Sequence, residues 1–167
     1  HTVDTGLASG LTDGTVYIFR LENVVDLAGN ATAAYAVPNV TFDRTAVVIS
    51  NTVPAEKGIM TAAQAGYSLS EQAASVTITF TWSGGNPDPA SPHVYVVPGG
   101  SQLLSSGTHS VSLPFTLAED AFYTVSFSAT DLAGNAATTV SNALVYFDSR
   151  FDPVLPGNVD NTGPSTQ

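Results

Sequence analysis

Carboxylates are the groups in this sequence best placed to do chemistry. Asp and Glu number 14 against four Lys and Arg, a formal net charge of −10 over 167 residues. Asp43, Glu71, Asp131 and Asn135 form a candidate calcium set. Calcium gathers several carboxylate and carbonyl oxygens at about 2.3–2.6 Å, and a junction between domains can supply them. A structural reading of two of these residues stands beside it. In Asp131-Leu-Ala-Gly-Asn135 the Asp can accept bonds from the amides after it, while Gly or Asn tolerates positive φ, so the pentapeptide builds a tight hairpin turn. No Asp-x-Asp-x-Asp run is present. A second acidic group, Asp88, Glu119, Asp120, Asp148 and Asp152, is expected at the opposite pole of the same domain, facing whatever follows.

Other chemistries find little support. An initial His1 with His93 or His109 could brace a copper ion, but His1 aligns near His109 inside a predicted strand, which favours an ordinary strand residue. The chain has no cysteine, so it has no disulfide framework, thiolate zinc site or cysteine nucleophile. It has no Gly-x-Ser-x-Gly elbow and no phosphate-binding glycine motif; Gly99-Gly100 reads as a turn. The neighbouring acids Glu119 and Asp120 fall in a predicted turn, where solvation explains them. We therefore expect no enzymatic activity. A strongly acidic chain repels phosphate, which excludes nucleic acid as a partner. No apolar run approaches the roughly 18 residues of a membrane helix, so no membrane insertion is expected. An export signal, if the protein has one, lies outside this sequence or has been removed.

The elements that must position the acids announce themselves by repetition. Asp-Leu-Ala-Gly-Asn occurs at Asp26–Asn30 and again at Asp131–Asn135, 105 residues apart. Upstream, Leu11–Tyr17 parallels Leu117–Tyr123; downstream, Val40-Thr-Phe-Asp43 parallels Val145-Tyr-Phe-Asp148. The first stretch carries one extra residue between Tyr17 and Asp26, as a β-bulge would. A period near 100 residues suits a string of sandwich domains. Val76, Ile78, Phe80 and Trp82 alternate with threonines, and Tyr123, Val125, Phe127 and Ala129 with polar residues, the period of half-buried strands. Ala55–Ala65 is the one weak helical candidate.

The fold class is accordingly all-β, with immunoglobulin-like sandwich repeats, one complete and one partial. Residues 1–43 form the partial repeat, equivalent to strands E to G. Residues 44–150 form the complete sandwich, and 151–167 a tail or the start of another repeat. Its strands are expected near 46–50 (A), 66–70 (B), 75–82 (C), 93–97 (D or C′), 109–113 (E), 123–130 (F) and 137–147 (G). Trp82 is in phase with the core face of strand C, a core aromatic or, at a strand end, a half-buried one. The six-residue step from Leu11 to Tyr17, and from Leu117 to Tyr123, looks like a tyrosine corner, with a core tyrosine lacking any special bond as the alternative.

The block Tyr123-x-x-x-Phe-x-x-x-Asp-Leu-Ala-Gly-Asn135, followed by a strand ending Tyr146-Phe-Asp148, resembles bacterial Ig-like repeats of large surface and adhesin-type proteins. The resemblance covers most of 44–148 and the matching parts of 1–43. It implies an extracellular or cell-surface stalk, spacer or adhesive module whose partners are copies of itself, neighbouring repeats of the same chain or a surface ligand. An adhesive or carbohydrate-binding module is the alternative to a structural repeat or filament subunit; Gly84–Ser91 is the loop best suited to a ligand. Residues 1–43 cannot close a sandwich alone. Either the sequence is a fragment of a longer chain, or another chain completes the half-domain by strand complementation. Val159–Pro164 resembles the linker Phe42–Ala46, as a further repeat would require.

Overall fold

The computed structural model describes residues 10–150. The expectations placed on His1, Asp152 and the tail 151–167 lie outside them. Ten strands and no α-helix make up the described chain: β1 Thr15–Leu21, β2 Tyr35–Phe42, β3 Ile49–Val53, β4 Ile59–Met60, β5 Gln64–Leu69, β6 Ala73–Gly85, β7 His93–Val96, β8 Gly107–Ser112, β9 Ala121–Asp131 and β10 Val140–Phe147. β1 and β2 form a two-stranded ribbon. The rest form a five-stranded sheet, β4-β10-β9-β6-β7, and a three-stranded sheet, β3-β5-β8.

The two larger sheets close over one core, as period-two alternation requires. Val76, Ile78 and Phe80 of β6 and Tyr123, Val125 and Phe127 of β9 are fully buried, and they join Ile49, Tyr67, Leu69 and Val111 of the facing sheet in a single cluster. The rings of Tyr67 and Phe127 meet across the sheets, centroids 6.3 Å apart. Burial of one such aromatic side chain is worth about 2–3 kcal/mol. The domain is an all-β sandwich.

Three local features depart from the sequence reading, and two more decide alternatives that it left open. Strand A is displaced towards the C-terminus, to Ile49–Val53, although Val47 is already buried. Ala55–Ala65 is not helical: it holds β4, which pairs in parallel with β10, and the start of β5. Strand G begins at Val140, because Ala136 is joined to Thr130 only by an isolated bridge. Trp82 keeps 40% of its surface exposed, since the β6–β9 register shifts between Trp82 and Gly84, and its indole nitrogen donates to the Asn86 carbonyl. β7 pairs with β6, which puts it at the C′ position rather than D.

The two stretches that repeat in sequence repeat their hydrogen bonds. The Tyr17 phenol oxygen accepts from the Thr12 amide at 2.8 Å, and that of Tyr123 from the Ala118 amide at 2.9 Å. This is the bond a tyrosine corner requires, five residues back in both places. In the turns, Asp26 Oδ1 accepts from the amides of Ala28 and Asn30 and its Oδ2 from Asn30 Nδ2; Asp131 takes the same three bonds from Ala133 and Asn135. Both hairpins also bulge at one place. Register shifts between Tyr17 and Phe19 opposite Val40 and Val37, and between Asn142 and Val145 opposite Val125 and Tyr123, with Asn39 (φ 59°) and Leu144 (φ 56°) in the left-handed region. The extra residue of the first stretch is absorbed after β1, where the ladder is interrupted and Asn23 takes φ 58°.

Candidate functional site

The linker, the β5–β6 turn and the β9–β10 turn meet at one pole of the sandwich. Asp43, Glu71 and Asp131 each offer a carboxylate oxygen there, all within 4.8 Å of one another. Two ligands on opposite sides of one calcium ion sit about 4.6–5.2 Å apart, so the three oxygens can share a single cation. Asp131 is held rigidly, 1% exposed, by the turn that its own side chain organises. Asp43 is placed through its main chain: its carbonyl accepts from Asn135 Nδ2 at 3.2 Å, while its Oδ1 takes the Thr45 amide at 3.0 Å. Asp13 flanks the linker, accepting from the Arg44 amide at 2.5 Å and from the Thr45 hydroxyl.

All four residues singled out from sequence therefore lie together, but Asn135 enters differently. Its amino group, not its carbonyl, is turned to the acids, donating to Asp131 Oδ2 and to the Asp43 carbonyl. Asn30 makes the same bond to Asp26 in the exposed first hairpin. The turn thus forms from its own residues, and what distinguishes the second one is the arrival of Glu71 and Asp43.

Electrostatics separate the two poles. At the linker pole, loss of hydration and then the charges of Asp43, Asp131 and Asp13 push the Glu71 carboxyl above its usual range. Burial works the same way on Asp131, but the Asn135, Ala133 and Gly134 bonds outweigh it and leave that carboxyl lowered. At the opposite pole the acids are already satisfied. Arg150 lies 2.9 Å from Asp120, 3.5 Å from Asp148 and 3.8 Å from Glu119; the Tyr146 hydroxyl donates to Asp120, and Ser149 to Glu119. That pole has its own cation in Arg150. The linker pole concentrates negative charge, and its donor set is the oxygen-only kind that hard cations prefer.

Asp88, expected with the acids of the opposite pole, has its side chain turned inward, only 5% exposed. Its Oδ2 accepts from the Tyr123 hydroxyl at 2.5 Å and lies 2.7 Å from His93 Nε2, and its Oδ1 accepts from the Ala90 amide at 3.0 Å. His93 stacks on Phe115 with centroids 4.9 Å apart. The sequence carried a signal for this: His93 occupies the core-facing phase of β7, between exposed Val94 and buried Phe80's neighbours, and a buried imidazole needs a partner. The pinned Asp88 and the Trp82–Asn86 bond also make Gly84–Ser91 a strapped connection. A groove of about 390 Å³ beside the 3-10 turn at Gln102–Leu104 is lined by Gln72, Ser101, Gln102, Ser105 and Leu132, with no titratable group and no aromatic wall. Sequence reasoning did not identify this groove. Among the described residues no helix is long and apolar enough to cross a membrane. The chain matches no protein-family model and no curated protein.

Proposed function

We propose that this chain is a structural element of an extracellular or cell-surface protein: a stalk or spacer built from immunoglobulin-like modules, without enzymatic activity. The observation that carries the reading is the duplicated hairpin, in which the tyrosine bond, the bulge and the turn recur with the same partners. Tandem reuse of one module is how extended proteins gain length. The sheet orders β4-β10-β9-β6-β7 and β3-β5-β8 support an immunoglobulin-like arrangement, with β7 extending the sheet that holds β6, β9 and β10. Residues 44–150 are the complete module, and residues 1–43 the closing part of an earlier one.

In this reading the linker pole is the joint between modules. Asp43, Glu71 and Asp131 would hold a calcium-type cation, with Asn135 tying the linker carbonyl to the turn. The ion would offset three like charges and fix the linker to the sandwich, stiffening the joint. Electron microscopy of the purified native protein tests the reading. Extended rods or fibres are expected; uniformly compact particles would overturn it.

A further inference from the structure

The two hairpins share a backbone design but not an environment. In β9–β10, Tyr123, Val125, Phe127 and Val145 are wholly buried and Phe147 is 5% exposed, because β3–β5–β8 lies across them. The matching residues of β1–β2 are Tyr17, Phe19, Leu21, Val40 and Phe42. Phe19 is 50% exposed, Leu21 46%, Val40 40%, and Tyr35, paired with Leu21, 60%. Alternation places these side chains on one face, with Val16, Ile18 and Arg20 on the other. The four exposed groups amount to roughly 400 Å² of apolar surface, a size that on a soluble protein marks an interaction face. β1 pairs only with β2, so its second edge is open among the described residues, whereas β9 is zipped along that edge to β6.

We propose that this face and edge receive a polypeptide segment of the type of residues 44–106, and the proposal rests on reading the hairpin as part of a second module. The established packing within the chain identifies the occupant. A β6-type strand would pair with β1, and a sheet patterned like β3 and β5, with Ile49, Ala65, Tyr67 and Leu69 inward, would cover the face. The shapes agree because the bulge at Asn39 and that at Leu144 bend both ribbons alike. The volumes agree as well: Phe19 and Leu21 stand where Val125 and Phe127 stand, and Val40 and Phe42 where Val145 and Phe147 do. The Arg44 guanidinium lies 5.6 Å from the Phe42 ring centroid at one end of the ribbon, while Phe19, Leu21, Val40 and Tyr35 offer an apolar surface, in keeping with an apolar sheet as partner.

The test adds residues 44–106 ahead of His1 in the full chain, so that residue 106 precedes His1 as it precedes Gly107. Hydrogen exchange should then show the amides of Phe19, Leu21 and Val40 protected about 100-fold or more over the unextended chain. Leu21→Asp in the extended chain should abolish that protection while leaving β6 and β9 unchanged. Exchange as fast as in the unextended chain would overturn the proposal. So would concentration-dependent self-association of the unextended chain with these amides already protected, which would assign the face to a second copy. Whether the protein forms rods is read separately by microscopy and does not alter either result.

Discussion

Tyr123 and Asp88, 35 residues apart in sequence, share a 2.5 Å hydrogen bond inside the sandwich, while the same phenol oxygen accepts the Ala118 amide. One hydroxyl thus joins the β8–β9 corner to the β6–β7 connection. The corner at Tyr17 holds only its Thr12 amide and is exposed. Tyr123→Phe removes both bonds, leaving the part-buried Ala118 amide without its partner and Asp88 Oδ2 with His93 alone, so it should cost about 2–3 kcal/mol, whereas Tyr17→Phe should cost under about 1 kcal/mol. Urea unfolding of the two variants measures the difference.

Acid sensitivity follows from the same carboxylate. Burial raises the affinity of Asp88 for a proton, but the bonds from Tyr123, His93 and Ala90 more than offset this and leave its pKa lowered. A carboxyl whose folded value lies below its unfolded value of about 3.9 stabilises the fold above that value and loses the contribution as pH falls through the folded one. Stability should therefore decline below about pH 4. Asp88→Asn should be less stable at neutral pH and show a shallower acid limb in melting temperature against pH.

Glu71 carries the opposite sign. Its raised pKa means that ionisation is disfavoured in the folded state, so its contribution worsens as pH rises through the folded value. In chelator at neutral pH, Glu71→Gln should melt higher than the native chain.

Calcium should reverse that order. At 100 times its dissociation constant a bound ion contributes about 2.7 kcal/mol, which for a domain of this size is a rise of roughly 10 °C in melting temperature. Glu71→Gln and Asp43→Asn should each lose most of the rise. A native melting temperature indifferent to excess chelator and to added calcium would remove the ion from the joint.

Gly85 is the glycine that the packing least permits to change. Its φ is +72°, and a Cβ there would stand 2.3 Å from the Asp120 carbonyl oxygen. Gly85→Ala should destabilise by about 2–4 kcal/mol. Gly29, at φ +85° with nothing near its missing Cβ, should cost only about 1 kcal/mol on the same change. Thermal or urea melts of both variants decide it.

The strands of the sandwich were legible because alternation along Val76–Phe80 and Tyr123–Phe127 states which face is buried. The turns were legible because Asp-Leu-Ala-Gly-Asn satisfies its own amides. β4 was not: two residues carry no period, and its order comes from main-chain bonds to β10, which composition does not encode. The grouping of Asp43, Glu71 and Asp131 followed from threading strands alternately from pole to pole. The inward turn of Asp88 had one signal, the core-phase His93 five residues on, but its bond to Tyr123, 35 residues away, had none.

The parallel pairing of β4 with β10 sets how the module answers traction. Lys57 donates to the Ala143 carbonyl, Tyr146 to Gly58 and Asp148 to Met60, across two strands that run the same way. Tension applied between the linker before β3 and the segment after β10 draws those strands past each other in opposite senses. The rungs are then strained together rather than peeled one at a time, and a single two-residue strand becomes a clasp against stretching.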